Sequence, residues 1–279
     1  MAIKNLTQNE IELIELELFL EALHKLYRYD FKNYLKSYLL RRVKNFAFEN
    51  QVDSISSLIP LMIQDSLFAI KFVNYMTIQY SSLFRDALFF KQLSTNVFPY
   101  LSTFARIKIW IAGCANGEEI YSMVILLKEA GLLEKTTIYA TDISHEAIYQ
   151  AKLGILNAIH ARDIQAYNDS GGIGSLSEYF VHGYGEYKIK DYLLSNVIFE
   201  KHNLIEDNPF VLAHLVLCRN VMIYFNQKLQ NDVFKLLNNS LMLNGYLGIG
   251  MDEKLEYLDD SSNFKRLKNS ISVYKKLPL

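Results

Sequence analysis

The chain has 279 residues, of which 29 are Lys or Arg and 30 are Asp or Glu, so its formal net charge is −1. Apolar residues make up 51% of it, and only 12 Gly and 4 Pro are present. This composition is typical of a globular protein and excludes collagen-like, low-complexity and disordered classes. Because a net charge near zero gives no overall attraction to phosphate backbones, we expect no nucleic-acid partner.

The two cysteines, Cys114 and Cys218, lie in apolar runs without the spacing of metal ligands. We therefore predict no disulfide framework and no metal site, and a reducing cytoplasm fits best. The N-terminal segment alternates acidic with apolar residues, which is not the pattern of a signal peptide. Charged residues interrupt the long apolar windows, so we predict no membrane insertion. We expect a cytoplasmic monomer.

The first 75 residues or so are predicted to be all helical. A stripe of apolar residues at intervals of three to four runs through Ile11, Ile14, Leu18, Ala22 and Leu26. This is the spacing of one face of an α-helix. Further helical stretches are predicted at 31–43, 55–62, with Pro60 as a possible break, and 66–76. Together they indicate a small helical bundle.

After about residue 105, short β-rich runs alternate with helix-length segments. The predicted strands are 107–112, 137–141, 196–200, 214–218, 246–250 and 272–276. Such alternation predicts a doubly wound α/β domain, with a parallel sheet covered by helices on both faces. The segment 168–190 is rich in Gly and Tyr and suits turns and a small hairpin better than a crossover helix.

The sharpest local signal is IWIAGCANGEE, residues 109–119, where a strand runs into a glycine turn and then into a helix. This arrangement brings the backbone close to a ligand at the carboxyl end of a parallel sheet. The GxxxG spacing does not match the dinucleotide fingerprint GxGxxG. Glu118 and Glu119 would repel a pyrophosphate but suit a cationic ligand such as S-adenosyl-L-methionine (SAM). Alternatively, both acids only favour the helix dipole.

Polar residues follow two further predicted strands. Asp142 ends one of them, where a carboxylate can accept both hydroxyls of a ribose. It could equally cap the helix that starts near Ser144. Arg219 and Asn220 follow a buried strand at the edge where loops form a ligand crevice. The alternative is that Arg219 is a salt-bridged residue and Tyr224 belongs to the core.

Basic residues are concentrated between positions 25 and 44, with seven Lys or Arg against a single acid. They are Lys25, Arg28, Lys32, Lys36, Arg41, Arg42 and Lys44. On a continuous helix the first four would share one face. An acidic protein partner is one explanation of this charge, and a solvated helix face is another. The interleaved Tyr27, Tyr29 and Tyr34 could also mimic an RNA-binding surface.

Six blocks of the sequence resemble, in order and spacing, the CheR-type chemotaxis methyltransferases. They are MTIQYSSLFRD (76–86), IWIAGCANGEEIYS (109–122), ATDIS (140–144), FEKHNL (199–204), LCRNVMIYF (217–225) and GMDE (250–253). The resemblance implies a helical receptor-recognition domain over 1–88. It also implies a SAM-binding methyltransferase domain over 89–279 with a Rossmann-like sheet and a small antiparallel β-subdomain at about 168–200.

The implied activity is transfer of a methyl group from SAM to glutamates on the cytoplasmic helices of chemoreceptors, which leaves S-adenosyl-L-homocysteine (SAH). By the resemblance, the cofactor-binding residues are Gln79, Ser81, Arg85, Gly113, Glu119, Asp142, Asn203, Leu204, Arg219 and Asn220. The residues near the transferred methyl are Arg85, Arg219 and Tyr224. We expect Arg219 to orient the carboxylate or SAM, and Tyr224 to contact the methyl-sulfonium region. The basic residues Lys32, Lys36, Arg41 and Arg42 are assigned to binding the acidic receptor.

The sequence departs from the family pattern at several positions. They are Gln79 for Asn, Ser81 for Thr, Leu83 for an aromatic residue, Ile120 for Pro, and Met251-Asp252 for His-Ser. Two alternatives therefore stay open: a methyltransferase for another acidic protein, and a SAM-binding adaptor without catalysis. The β-subdomain also looks short, so we predict no dependence on a tether to the receptor tail.

Overall fold

The computed structural model describes residues 6–77, 81–268, 270 and 272–278. These residues form two compact units. The helical unit holds the described residues up to Thr77 together with Tyr224–Gln230, and the sheet unit holds the other described residues. The predicted boundary after residue 88 falls inside the sheet unit, where Phe84 and Phe90 are buried in the core.

The helical unit begins with a series of α-helices. Those in the described part of residues 6–77 are α1 (Gln8–Tyr27), α2 (Lys36–Glu49), α3 (Leu58–Gln64) and α4 (Ser66–Met76). Thr7 and Glu10 form a capping box that starts α1. Pro60 lies in the first turn of α3, where a backbone N–H has no partner within the helix, so it does not break the helix. The predicted bundle of helices is confirmed.

Helix α1 is apolar on two sides. The side buried in the core of the helical unit consists of Leu16, Phe19, Leu20 and Leu23. The residues of the predicted stripe with exposed side chains are Ile11, Ile14, Leu18 and Leu26, at 39–55%. The apolar periodicity therefore identified the helix, but the stripe it traced is not the face that packs.

The basic residues do not lie on one continuous helix, so the shared face that such a helix would give them is absent. Helix α1 ends at Arg28, which adopts the left-handed conformation with φ 63°, and α2 starts only at Lys36. The connecting segment pairs with residues 224–225 of the same unit. Leu35 donates its N–H to the carbonyl of Tyr224 at 2.9 Å, and Tyr34 forms an isolated β-bridge with Phe225. Residues 32–33 of the connection form a turn, and the contacts of Tyr34 and Leu35 occupy its end, so the predicted helix over 31–43 begins later.

The sheet unit contains the strands. The described ones are β1 (Ile107–Ala112), β2 (Thr136–Asp142), β3 (Ile155–Leu156), β4 (Phe180–Gly183), β5 (Glu186–Ile189), β6 (Val197–Lys201), β7 (Ala213–Cys218), β8 (Leu241–Ile249), β9 (Phe264–Arg266) and β10 (Val273–Lys276). The remaining described α-helices are α5 (Ala87–Gln92), α6 (Phe98–Ser102), α7 (Glu118–Glu129), α8 (His145–Leu153), α9 (Ala161–Asp169) and α10 (Gln227–Asn239), the last of which begins in the helical unit.

Seven strands form one mixed sheet in the order β6-β2-β1-β7-β8-β10-β9. The neighbours from β6 to β8 are parallel, whereas β10 is antiparallel to both β8 and β9. All six predicted strands are present, but the prediction of a wholly parallel sheet is wrong for β10. Only residues 267–272 separate β9 from β10, and a parallel connection needs a dozen residues or more.

A second, antiparallel sheet has the order β3-β5-β4. The predicted fold class, an α/β sheet with a helical N-terminal domain and a small antiparallel subdomain, is confirmed.

The register of the large sheet places several strand ends side by side. Ala112 pairs with Thr141, and Ile111 pairs with Leu217. The carboxyl ends of β1, β2 and β7 therefore lie at one edge of the sheet. Gly113, Arg219 and Asn220 lie directly after β1 and β7, and Asp142 ends β2, so these four predicted cofactor residues share that edge.

Candidate active site

The turn after β1, residues 113–117, is held against the end of β2. The N–H groups of Gly113 and Cys114 both donate to the carbonyl of Thr141, at 2.8 and 2.9 Å. Gly113 has φ +78°, and a Cβ at this position would lie 2.6 Å from Cγ2 of Val221. Only glycine allows both this conformation and this close approach, so Gly113 lets the loop after β7 pack directly against the turn.

Asp142 fixes the other side of this turn. Its Oδ2 accepts the N–H of Ala115 at 3.0 Å, and its Oδ1 accepts the N–H of Ser144 at 2.9 Å. The cap of α8 is Ser144, whose hydroxyl accepts the N–H of Ala147, so Asp142 is not the N-cap. Burial raises the pKa of Asp142, and the backbone N–H donors oppose that rise. Its carboxylate therefore lies beside the glycine turn.

Arg219 links three segments through its guanidinium group, and its side chain is only 1% exposed. Its Nη1 donates to Oε2 of Glu119 at 2.6 Å, and its Nη2 donates to Oδ2 of Asp86 at 2.7 Å. Nη2 also donates to the carbonyl of Arg85 at 3.0 Å. The guanidinium lies 4.1 Å from the centre of the Phe89 ring. Arg219 is therefore a salt-bridged residue, as the alternative interpretation of the sequence held, and one of its ion-pair partners is the predicted cofactor residue Glu119.

Asp86 is a residue that the sequence analysis missed. It follows Arg85 directly and occupies the N-cap position of α5 with φ 61°, but its side chain makes no capping hydrogen bond. A pair separated by 133 residues leaves no local pattern in the sequence. The only available signal was an acid beside a predicted site arginine.

The loop after β7 is held by the carboxylate of Glu253, another residue to which no role was assigned from the sequence. Its Oε1 accepts the N–H groups of Val221 and Met222, at 3.1 and 2.7 Å. Its Oε2 accepts those of Asn220 and Gly250. Burial raises the pKa of Glu253, although these donors oppose the rise. The backbone position of Asn220, at φ 59°, therefore depends on Glu253.

In the block GMDE (250–253), the two residues that depart from the family pattern lie at exposed positions. Met251 and Asp252 are both exposed, whereas Glu253 is 6% exposed. The residue that organises the loop is retained, and the two replaced residues do not take part in its carboxylate contacts.

Other predicted cofactor residues lie at the turn after β6. Asn203 shapes this turn, since its Oδ1 accepts the N–H of Ile205 at 3.0 Å and its N–H donates to Asp207 at 2.7 Å. Leu204 is half-buried beside it. Ser81 is also half-buried in the sheet unit, and Gln79 lies outside the described residues. Their roles toward a cofactor stay predictions.

Tyr224 is grouped with the helical unit. Its ring centre lies 4.7 Å from that of Tyr38, and its backbone carbonyl accepts the N–H of Leu35. Tyr38 donates its hydroxyl to the carbonyl of Met76 at 2.8 Å, and burial raises the pKa of Tyr38 to about 12. The ring of Tyr224 therefore has a packing role, which leaves open a further role for its hydroxyl.

Several of the basic residues are neutralised by glutamates of α1. The ion pairs are Lys25–Glu21, Lys36–Glu17 and Lys44–Glu12, at 2.8–3.0 Å. Arg42 lies 4.0 Å over the Tyr75 ring. Lys32 and Arg41 have exposed side chains. The local excess of positive charge is therefore smaller than the sequence count suggested.

Comparison with known proteins identifies the family to which this chain belongs. Residues 14–77 match the model for the CheR methyltransferase all-alpha domain, and residues 79–272 match that for the CheR methyltransferase SAM-binding domain. This chain belongs to the CheR methyltransferase family. Its cofactor is accordingly SAM.

Individual relatives agree with this membership. The protein named putative methyltransferase Cher3, of Pseudomonas putida, is 38% identical over 264 residues, which cover 94% of this chain and 97% of that protein. Proteins named chemotaxis protein methyltransferase from Vibrio anguillarum and chemotaxis protein methyltransferase 1 from Vibrio cholerae are each 30% identical over 257 residues. Those matches cover 86% of this chain and 89% of each relative.

The geometry of this CheR family member fits the cofactor. Asp142 stands beside the glycine turn through its contact with the N–H of Ala115. Nε of the buried Arg219 has no hydrogen-bond partner among the described residues, so it is an N–H donor that could meet an acceptor of the methionine part of SAM.

The length and apolar character of the helices bear on whether any of them could cross a membrane. Within residues 6–77, 81–268, 270 and 272–278, no helix combines the length and the apolar character needed to cross a bilayer.

Proposed function

We propose that this chain is a protein-glutamate O-methyltransferase that acts on the cytoplasmic helices of chemoreceptors. Its family membership and the names of its Vibrio relatives, which match most of the chain, support a role in chemotaxis. The observation that carries the proposal is the edge of the sheet where Gly113, Asp142 and the Arg219–Glu119 pair meet. We place the reaction in the cytoplasm and expect the enzyme to act as a monomer.

The residues proposed to hold the cofactor contact different parts of it. Asp142 would accept the ribose hydroxyls, and Glu119 would face the methionine end through Oε1, which makes no hydrogen bond to a described residue. Asn203 and Leu204 would contact the adenine. When bound, SAM supplies a methyl group on a positively charged sulfur. Because both Nη atoms of Arg219 are engaged by carboxylates, we assign Arg219 to the cofactor side and not to the methyl acceptor.

The methyl acceptor needs little activation. A glutamate side chain has an ordinary pKa of about 4.3, so it is ionised at neutral pH and requires no general base. The remaining task is to hold the carboxylate in line and to exclude water, which is worth up to roughly 7–11 kcal/mol in well-ordered reactions. We assign this task to Arg85 and Tyr224. A carboxylate bound too tightly by Arg85 would be a weaker nucleophile.

Substrate recognition is assigned to the exposed cations of the helical unit. Lys32 and Arg41 are exposed, and no salt bridge to a described residue engages either of them. Such charges steer an acidic partner and raise its rate of association. Lys36 already pairs with Glu17, and Arg42 stacks on Tyr75, so we expect both to contribute less.

The alternative, a SAM-binding adaptor without catalysis, was suggested by two sequence features, and the structure removes one of them as an argument. It was suggested by Gln79 and by the altered GMDE block, and Glu253 keeps its contacts despite that change. A methyltransferase for another acidic protein stays possible in chemical terms, since Lys32 and Arg41 would attract any acidic helix.

The test is methyl transfer from tritiated SAM to membranes that contain the chemoreceptors of the same cell. A glutamyl methyl ester releases volatile methanol in base, so we expect base-labile label in the receptor and a strong loss of it with Asp142→Ala. Label that withstands base would indicate another acceptor group. Absence of transfer by protein that still binds SAH would favour the adaptor.

A further inference from the structure

We propose that Asp86 is a positioning residue that sets the cofactor end of the site through Arg219. The inference concerns SAM and SAH binding, so it does not depend on which protein accepts the methyl group. It starts from the unusual state of Asp86. The residue occupies a helix N-cap in the left-handed conformation, yet its carboxylate does not cap the helix.

An aspartate at an N-cap normally accepts a backbone N–H of the first turn. In this chain the side chain of Asp86 instead accepts Nη2 of Arg219 at 2.7 Å, and 27% of that side chain is exposed. Asp86 thus gives up a local capping hydrogen bond, while its carboxylate keeps the contact with Arg219.

The contact with Arg219 reaches the cofactor residues in two directions. One direction is Glu119, which shares the same guanidinium through Nη1 at 2.6 Å. The other is the backbone of Arg85, whose carbonyl accepts Nη2 at 3.0 Å. The ring of Phe89 covers one face of the guanidinium.

Removal of the Asp86 charge would leave Glu119 as the one carboxylate of the described residues that pairs with the buried Arg219. A guanidinium can bind a carboxylate through two parallel N–H groups. We therefore infer that Arg219 would turn toward Glu119 and engage both of its oxygens. Oε1 of Glu119 would then no longer be available to the cationic end of the cofactor. The carbonyl of Arg85 would lose its donor at the same time.

The experiment compares Asp86→Asn with the control Asp191→Asn. Asp191 forms an exposed ion pair with Lys188 at 2.7 Å, so the control also removes one carboxylate charge from an ion pair in the sheet unit. We expect Asp86→Asn to weaken SAH binding by ~10-fold and to raise KM for SAM more than it lowers kcat, since the loss of one charge-assisted contact with the cofactor changes affinity by this order. Asp191→Asn should bind SAH like the unaltered protein.

Two results would overturn the proposal. The first is unchanged SAH binding by folded Asp86→Asn. The second is a lower thermal midpoint with unchanged SAH affinity, which would make Asp86 merely structural. If Asp86→Asn fails to fold, Asp86→Glu provides the test, because it keeps the charge and shifts it by one methylene. It should fold and bind SAH more weakly, and unaltered SAH binding by Asp86→Glu would refute the positioning role.

Discussion

Gly113 lies so close to Val221 that an added Cβ would be 2.6 Å from Cγ2 of Val221. We predict that Gly113→Ala lowers the free energy of unfolding by about 1–3 kcal/mol through overpacking. The left-handed φ of +78° adds about 1–2 kcal/mol. Chemical denaturation measures the loss, and calorimetry with SAH should show weaker binding.

Gly131→Ala is the matched control for this substitution. Gly131 also has a left-handed φ, of +67°, but no atom lies within 4 Å of an added Cβ. It should therefore lose only the conformational part of the stability and should keep its affinity for SAH. Equal losses of SAH affinity in both variants would contradict the role of close approach at Gly113.

Glu253 is expected to be necessary for the loop that carries Asn220. Glu253→Gln replaces one of two acceptor oxygens by a donor, which leaves buried N–H groups of the loop unsatisfied. We predict a loss of about 1–3 kcal/mol in the free energy of unfolding, together with weaker SAH binding. The control is Asp252→Asn at the exposed neighbouring position. A change in SAH affinity as large for Asp252→Asn as for Glu253→Gln would disprove this assignment.

Tyr224→Phe separates the ring of this residue from its hydroxyl. The ring contact with Tyr38 is kept in the variant, so the fold should persist. We predict a fall in kcat of ~10-fold, equivalent to about 1.4 kcal/mol, because the hydroxyl is proposed to lie near the transferred methyl. Single-turnover methyl transfer measures it. Full turnover by Tyr224→Phe would remove the hydroxyl from the mechanism.

Charge reversal tests recognition of the acidic receptor. Arg41→Glu should reduce kcat/KM for the receptor by roughly 3- to 10-fold at low salt, since steering by charge accelerates association. The reduction should shrink as salt is raised, because screening shortens the range of exposed charges. Lys235→Glu, an exposed change on α10, controls for net charge. Equal effects of Arg41→Glu and Lys235→Glu, or no dependence on salt, would count against the assigned surface.

The raised pKa of Asp142 predicts the pH dependence of SAH binding. The ionised carboxylate is proposed to accept the ribose hydroxyls, so affinity should be full above its pKa and should fall as pH is lowered through it. Burial places this pKa above the ordinary value of 3.8. Titrations between about pH 7 and pH 4.5 should show weaker binding at the acidic end. The dependence should flatten in Asp142→Asn; the same slope in both proteins would exclude Asp142 as its source.

The strands and the glycine turn were predictable from the sequence because their signals are local. Each predicted strand is a short β-rich run, and the turn after β1 is marked by Gly113 and Gly117. The direction of β10 was not predictable from its own residues. Its antiparallel pairings with β8 and with the short strand β9, which the apolar pattern did not reveal, leave no mark in that run.

The buried side of α1 could not be predicted from the sequence for a different reason. This helix has two apolar stripes, and periodicity alone cannot tell which of them meets the core. Leu16 and Leu23 are buried, whereas Ile14 and Leu18 are exposed. The break after α1 was also hidden, because Arg28 adopts a left-handed conformation without any Gly or Pro to mark it.

The long-range contacts of the site were the feature least predictable from the sequence. Arg219 was identified beside a strand end, but its partner Asp86 is 133 residues away. Likewise, the contacts of Glu253 with the loop after β7 form only when β7 and β8 lie next to each other. Such pairs are set by the topology of the sheet, which a single sequence does not specify residue by residue.

A calorimetric titration of SAH into the folded protein, repeated with Asp142→Ala, tests the proposed cofactor site at the edge of the sheet. We expect saturable binding at one site and a marked loss of affinity in the variant. Failure of the folded, unaltered protein to bind either SAH or SAM at millimolar concentration would rule out this site.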